Sequence, residues 1–175
     1  MFENIIKNVH NRHPLIHCIT NYVSINDCAN IVLACGGAPI MAEDINEVSQ
    51  ITSICQGLDI NIGMLNDNKL SSMLKAGATA NELGIPVILD PVGAGSSDYR
   101  IKAVQNLMSN VQFGVIRGNV SEIKAIAAKQ GIHNIAAGVY DTMQKDKYAM
   151  GVEAGIADKI TDDNIKEMAD FINKL

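Results

Sequence analysis

The sequence lacks tryptophan, has few other aromatic residues and carries no excess of basic residues. Of its 175 residues only 4% are aromatic, and 14 Lys+Arg stand against 19 Asp+Glu, which gives a net charge of -5. A nucleic-acid-binding surface combines basic side chains that neutralise phosphates with aromatic rings that stack on bases. The composition therefore argues against nucleic acid as a partner.

Long apolar runs and metal-binding cysteine pairs are also missing from the sequence. No stretch approaches the ~20 apolar residues of a membrane helix, and the first residues lack the apolar core of a secretory signal, so we expect no membrane association. The four cysteines contain no CxxC pair, which argues against a zinc site. We expect free thiols in a reducing cytoplasm.

Short apolar runs, each bounded by Gly, Pro or Asn, alternate with helical patterns. The runs that favour strands cover residues 15–19, 58–62, 87–90 and 113–117, and residues 39–42 favour another short strand or extended segment. Helices are predicted over residues 25–35, 46–54, 68–83, 101–108, 121–129 and 162–175. Residues 133–158 favour a loop or an irregular helical hairpin. The alternation predicts one α/β domain over residues 1–175, with a mostly parallel sheet flanked by helices.

Ligands of open α/β sheets bind beyond the carboxyl ends of the strands, so the residues that follow each predicted strand are the candidates for a site. Asn21, Met41 and Gly63 occupy such places. Each also has a purely structural interpretation: Asn21 as a helix cap, Met41 as a core side chain and Gly63 as a turn glycine. The positions alone favour the structural interpretation of each residue and leave the functional one open.

The segment from Asp90 to Gly95 places an acidic residue at a strand end, before a small flexible loop that contains Gly93 and Gly95. Glycines let backbone N–H groups turn toward a phosphate, and an Asp here could hold Mg²⁺ that bridges phosphates. The loop is neither a Walker A loop nor a GxGxxG motif, and an ordinary turn is the default interpretation of it.

A second polar segment follows the last predicted strand. Asn119 and Glu122 are three residues apart at a helix start, which is the spacing of a capping box. In a functional interpretation, Arg117 binds a nucleotide phosphate and Glu122 lies near a hydrated metal ion. An Arg that ends an apolar strand also needs a partner, because a buried unpaired charge is costly.

Four stretches occur together and in order: ITNYVSINDCANIVLACGGAPIMA, LDINIGML, AGATANELGIPVILDPVGAG and VIRGNVSEI. By these motifs the chain resembles the hydroxyethylthiazole kinases of the ribokinase-like superfamily, closely over residues 16–124. The resemblance implies a three-layer α/β fold and transfer of the γ-phosphate of ATP, with Mg²⁺, to the hydroxyl group of 4-methyl-5-(2-hydroxyethyl)thiazole. It also implies a homotrimer with substrate pockets at the subunit interfaces.

The resemblance assigns roles to nine positions. They are Met41, Asn21 and Gly63 in the thiazole pocket, Arg117 and Asn119 at ATP, Gly93 and Gly95 beside the transferring phosphate, and Asp90 and Glu122 at Mg²⁺ or its waters.

The sequence also departs from the family pattern. Met64 stands where the family has Thr, and the Gly-Thr-Gly-Cys loop that supplies the anion hole and the position of the catalytic base is absent. We therefore identify no catalytic residue and expect the N-terminal portion of the family domain, incomplete at its C-terminal end. The alternatives are a non-catalytic thiazole-binding remnant or scaffold, and a kinase for another small alcohol, such as a hydroxymethylpyrimidine or a sugar.

Overall fold

The computed structural model describes residues 2–130. The predicted helix over residues 162–175 and the loop or hairpin over residues 133–158 lie outside this part of the chain. Within it, no helix is long and apolar enough to cross a membrane. The elements in chain order are α1 (Phe2–Arg12), β1 (Leu15–Ile19), α2 (Ile25–Ala34), β2 (Ala38–Ile40), α3 (Val48–Ile54), β3 (Gly57–Asn61), α4 (Asp67–Glu82), β4 (Val87–Asp90), α5 (Asp98–Asn110), β5 (Val115–Ile116) and α6 (Val120–Gln130).

The strands form one parallel sheet of five strands in the order β2-β1-β3-β4-β5, which confirms the predicted α/β class. The chain moves outward from β1 to β2, then returns past β1 to add β3, β4 and β5. The direction of winding therefore reverses between β1 and β3, and such a reversal opens a crevice at the carboxyl edge of the sheet. The sheet belongs to a compact unit that ends at Arg117, and α6 belongs to a second unit that begins at Gly118.

The two faces of the sheet differ because side chains alternate along a strand. One face carries Ile19, Leu58, Ile60 and Leu89, which are fully buried, and α3 and α4 contact strands of the sheet. The opposite face carries Asp59, and its neighbour in register on β4, Ile88, is 42% exposed. The apolar core of this unit therefore lies on one side of the sheet, and the other side carries the charged groups described below.

The observed bounds of the strands agree best with the predicted bounds where the side chains on the core face of the strand are buried. The bounds of β1 and β4 match the predicted residues, and β3 is displaced by one residue. Helix α5 begins at Asp98, before the predicted start at residue 101, because the Ser97 side chain accepts a hydrogen bond from the Arg100 N–H and caps the helix. Sequence analysis assigned no element to residues 2–12, where the structure has α1.

The cysteines are free thiols, as the sequence predicts. Cys18 and Cys55 are buried, and Cys28 and Cys35 are partly exposed. Burial raises the pKa of the Cys18 thiol to about 12, and the charge of Asp59 adds to this effect. A thiol with so high a pKa is protonated at neutral pH and is a poor nucleophile.

Candidate functional site

The structure brings five of the predicted site residues to the carboxyl edge of the sheet. Because the strands are parallel, the residues that follow them lie at the same edge of the sheet. Read across the strand order, they are Met41 after β2, Asn21 after β1, Gly63 after β3, Asp90 at the end of β4 and Arg117 after β5. Asn21 and Gly63 thus follow β1 and β3, the two neighbouring strands between which the direction of winding reverses.

Asn61, the last residue of β3, connects Asn21 and Asp90 through its side-chain amide. Its Oδ1 accepts a hydrogen bond from Asn21 Nδ2 at 3.2 Å, and its Nδ2 donates to Asp90 Oδ2 at 3.1 Å. The Gly63 N–H donates to the same Oδ1 at 2.8 Å, which fixes the orientation of the amide. Asn61 is 8% exposed, and its hydrogen bonds to Asn21 and Asp90 are partly buried.

Asn61 lies within the strand predicted over residues 58–62, and the sequence motifs give it no role. A polar amide in an otherwise apolar strand is a usable signal, because a buried amide requires hydrogen-bond partners. The identity of those partners depends on strand order, which the sequence alone does not provide.

The interpretation of Asn21 as a helix cap is wrong. Helix α2 begins at Ile25 and its N-cap residue is Ser24. Asn21 Oδ1 instead accepts hydrogen bonds from the Ser24 N–H at 3.0 Å and from Ser24 Oγ at 3.1 Å, which closes the turn before the helix. With its oxygen held by this turn, Asn21 presents its Nδ2 to Asn61.

Gly63 is required sterically where the two loops meet. A Cβ atom at this position would lie 2.9 Å from Asn21 Cβ, Asn21 Nδ2 and Asn61 Oδ1. Real Cβ atoms essentially never approach other heavy atoms so closely, so a side chain here would push Asn21 and Asn61 apart.

We expect Gly63→Ala to lower the free energy of unfolding by about 2 kcal/mol, the usual range for overpacking a filled site. Urea unfolding followed by circular dichroism measures the change. Gly114→Ala is the matched control, because a Cβ there meets only the Val87 carbonyl oxygen, at 3.7 Å. Equal stabilities of the two variants would show that the Asn21–Gly63 contact is not tight.

Arg117 and Asp90 form an ion pair at the other end of the row. Arg117 Nη1 lies 2.9 Å from Asp90 Oδ2, and the side chains are 77% and 15% exposed, respectively. The prediction that Arg117 has a partner is confirmed, although the side chain is exposed, so solvent screens the pair. A guanidinium that uses one N–H on Asp90 retains donors for a second anion.

Asp59 lies on the same face of β3 as Asn61, two residues before it and therefore farther from the carboxyl edge. The sequence motifs do not point to Asp59. Its neighbours in register are Cys18 on β1 and Ile88 on β4. Burial and, to a smaller extent, the charge of Asp90 raise the pKa of the Asp59 carboxyl, Arg117 lowers it, and the net pKa is about 6. The candidate site therefore carries two interacting carboxylates and one exposed guanidinium.

The loop after β4 consists of two tight turns. The Ala94 N–H donates to the Pro91 carbonyl at 3.0 Å, and the Ser96 N–H and Oγ both donate to the Gly93 carbonyl. Gly93 has a φ of +69°, a conformation that favours glycine. The turn interpretation of this loop is confirmed, and Gly95 is exposed within it.

In the second unit, Asn119 and Glu122 form the predicted capping box at the start of α6. Asn119 Oδ1 accepts from the N–H groups of Ser121 and Glu122 at 3.0 and 3.1 Å, and Glu122 Oε2 accepts from the Asn119 N–H at 2.8 Å. The spacing of this pair is therefore explained by helix capping. Glu122 is 8% exposed.

A buried lysine on α4 bonds to the loops that follow β1 and β2. Lys69 is 3% exposed, donates to the Thr20 carbonyl at 2.6 Å and pairs with Glu43 at 2.8 Å. Its ammonium also lies 4.5 Å from the centre of the Tyr22 ring, and the Tyr22 hydroxyl donates to Glu43. Burial pushes the pKa of the Glu43 carboxyl upward, but the hydrogen bonds from Lys69 and Tyr22 outweigh it and the pKa is lowered.

The oxygen donors at the carboxyl edge fit Mg²⁺ in its nucleotide-bound form. This hard cation is usually held by one or two carboxylates together with substrate phosphates and water. Asp90 supplies a carboxylate beside the exposed guanidinium of Arg117. Residues 2–130 contain no group of three or more His, Cys, Asp or Glu side chains suited to an all-protein metal cage.

Comparison with known families gives one match over most of the chain. The model of the hydroxyethylthiazole kinase family matches residues 6–162. Among curated proteins, the hydroxyethylthiazole kinase of Clostridium acetobutylicum is 52% identical over 171 residues, which are 98% of this chain and 57% of that protein. The hydroxyethylthiazole kinase of Methanobrevibacter smithii is 44% identical over 98% of this chain and 56% of its own length.

A solved structure agrees with these sequences. The hydroxyethylthiazole kinase protein of Pyrococcus horikoshii OT3 matches with a TM-score of 0.73 and 38% identity, over 82% of this chain and 56% of that one. The chain spans about half the length of the curated relatives it matches.

Proposed function

Because the chain belongs to the hydroxyethylthiazole kinase family, we propose that it binds 4-methyl-5-(2-hydroxyethyl)thiazole and serves transfer of the γ-phosphate of ATP to its hydroxyl group, in thiamine biosynthesis or salvage. The observation that carries the proposal is the chain of hydrogen bonds from Asn21 through Asn61 and Asp90 to Arg117. This chain of hydrogen bonds joins the uncharged residues that follow β1 and β3 to the charged residues at the ends of β4 and β5, at the carboxyl edge of the sheet.

The thiazole side of the site is the crevice between β1 and β3. Asn21 and Gly63 flank it, and half-buried Met41 lies beyond β1. A small uncharged heterocycle suits such a place, since polar amides orient it and an apolar thioether packs against it. The hydroxyethyl group then points along the sheet edge toward Asp90.

The phosphate side lies over β4 and β5. Arg117 binds ATP phosphates, the turns at Gly93 and Gly95 lie beside the transferring phosphate, and Asp90 holds Mg²⁺, which when bound neutralises charge on the phosphates. Asn119 contributes to ATP binding and Glu122 to the hydrated metal ion, in addition to their capping roles. In the reaction the alcohol oxygen bonds to the γ-phosphorus as the bond to the β-phosphate oxygen breaks, and ADP and the hydroxyl proton are released.

We propose that the protein acts in the cytoplasm as a homotrimer, with copies of the chain meeting at α2 and the turn before it. Helix α2 has no buried residue. Large apolar side chains are exposed there: Tyr22 is 55% exposed, Val23 89%, Ile31 63% and Leu33 56%. An exposed apolar surface of this kind is typical of a protein interface.

A coupled assay of ATP consumption with hydroxyethylthiazole tests the activity, with a hydroxymethylpyrimidine and a sugar as alternative acceptors. Turnover that depends on hydroxyethylthiazole is the expected result, and turnover only with another alcohol would replace the proposed substrate. Retained thiazole binding without turnover would favour a non-catalytic thiazole-binding chain.

Arg117→Ala is expected to weaken ATP binding about 10-fold, because a hydrogen bond to a charged group contributes about 1.5–3 kcal/mol. Thiazole affinity should stay within twofold of wild type, since Arg117 lies two strands away from the β1–β3 crevice. Isothermal titration calorimetry measures both affinities. Arg12→Ala is the control, because Arg12 precedes β1 and lies at the opposite edge of the sheet; unchanged ATP affinity in Arg117→Ala would refute the role of Arg117.

A further inference from the structure

Arg100 bonds to the backbone of two separate loops. From the first turn of α5, its Nη1 donates to the carbonyl oxygens of Ile62 at 2.7 Å and Val92 at 2.8 Å, and its Nη2 donates to the Gly63 carbonyl at 2.8 Å. Ile62 and Gly63 follow β3, and Val92 follows β4. One half-buried guanidinium therefore fastens the loop after β3 to the loop after β4.

The contacts depend on the shape of the guanidinium. Its donors diverge in one rigid plane, so it holds three carbonyl groups on two loops in a fixed geometry, which the flexible point charge of a lysine does not reproduce. The side chain lies under the second loop: a Cβ atom at Gly93 would be 3.6 Å from Arg100 Cδ. Ser97 fixes the start of the helix that carries Arg100 by accepting from the Arg100 N–H.

The two loops carry different parts of the proposed site. Gly63 flanks the thiazole crevice, and Val92 immediately precedes Gly93 of the phosphate-side loop. Asn61 already joins the two sides through side chains, and Arg100 joins them through the backbone, on independent atoms.

We propose that Arg100 is a positioning residue that fixes the Ile62–Gly63 backbone against Val92 and thereby sets the distance between the bound alcohol and the transferring phosphate. The expected effect on the rate rests on the proposed function. The clamp, by which we mean the hydrogen bonds from Arg100 to Ile62, Gly63 and Val92, is a property of the free chain. Phosphoryl transfer depends on holding donor and acceptor in line, and a displacement of about 1 Å can reduce the rate about 100-fold. Loss of the clamp should therefore slow turnover more than it weakens binding.

The test compares Arg100→Gln and Arg100→Lys with Lys102→Gln, an exposed residue on the same helix, as the control. Amide hydrogen exchange of the full chain is followed at residues 62–64 and 92–96. We expect exchange at both loops to accelerate at least 10-fold in Arg100→Gln and to remain unchanged in Lys102→Gln. Because a displacement of about 1 Å can reduce the rate about 100-fold, we also expect kcat to fall about 100-fold in Arg100→Gln, with KM within threefold of wild type.

Relative to Arg100→Gln, Arg100→Lys should recover less than a tenth of the kcat that is lost. The lysine keeps the positive charge but lacks the planar geometry of the guanidinium. Unchanged exchange at either loop in Arg100→Gln, or a lysine variant equal to wild type, would overturn the proposal. If wild type itself turns over no alcohol, the proposed function fails and the exchange measurement still decides whether the clamp exists.

Discussion

Replacing Asp90 with Asn is expected to reduce phosphoryl transfer about 100-fold, a typical effect of removing one group that stabilises transition-state charge. The carboxylate accepts from Asn61 and Arg117 at the carboxyl edge, and in the proposed site it also holds Mg²⁺. The amide has nearly the same shape but no charge, so it neither binds a hard cation well nor pairs with the guanidinium. Initial rates in the coupled ATP assay give the change, and calorimetry with and without Mg²⁺ should show that ATP affinity no longer depends on the metal.

The stability of the same variant separates this effect from unfolding. Asp90→Asn removes a negative charge that repels Asp59, so the free energy of unfolding should not fall at neutral pH. Glu82→Gln, at the far end of α4, provides a charge-matched control that should keep full activity. Turnover within threefold of wild type would remove Asp90 from the proposed phosphate site.

Asp59→Asn is expected to stabilise the protein at pH 7.5 by about 2 kcal/mol and to give no gain at pH 4. The pKa of the Asp59 carboxyl is raised from 3.8 to about 6, first by burial and then by Asp90. A difference of about 2 pKa units corresponds to about 3 kcal/mol, which we reduce because the carboxyl is partly exposed.

The sign of this effect follows from proton binding. Between the two pKa values the folded state holds the proton and the unfolded state does not, so stability contributed by Asp59 is present below pH 4 and is lost as pH rises through 6. The asparagine variant has no proton to lose. Its advantage over wild type should therefore grow between pH 4 and pH 6 and then level off.

Urea unfolding of wild type and Asp59→Asn at pH 4.0, 5.0, 6.0 and 7.5 measures the difference directly. His17, whose pKa is lowered chiefly by burial, is present in both proteins, so its titration cancels in the comparison. Glu82→Gln again serves as the control for removal of an exposed carboxylate. A stability difference that does not change with pH would show that Asp59 titrates normally in the folded protein.

The sequence predicts those parts of the fold that depend on short-range pattern. Buried parallel strands are short apolar runs bounded by turn residues, and β1 and β4 lie where such runs stand. The capping box of Asn119 and Glu122 depends on three-residue spacing alone and forms as predicted. Helix α1 contains three asparagines, which are poor helix formers, and the sequence pattern is not assigned to a helix there.

The candidate site is predicted only in part, for a different reason. Asn21, Gly63 and Asp90 could be named because polar residues after strands face ligands in this class of fold. Their connection through Asn61 depends on the strand order, which brings β1, β3 and β4 side by side. The contacts of Lys69 with Thr20 and of Arg100 with Ile62 and Gly63 join residues at least 37 positions apart, and no local pattern encodes them.

The most direct test of the proposed function is calorimetric titration of the full chain with hydroxyethylthiazole, repeated on Gly63→Ala, Gly114→Ala and Arg117→Ala. We predict that wild type, Gly114→Ala and Arg117→Ala bind the thiazole alike, and that Gly63→Ala loses at least 10-fold in affinity, about 1.4 kcal/mol. This pattern would locate the thiazole between β1 and β3. No binding to wild type, or equal binding to Gly63→Ala, would contradict it.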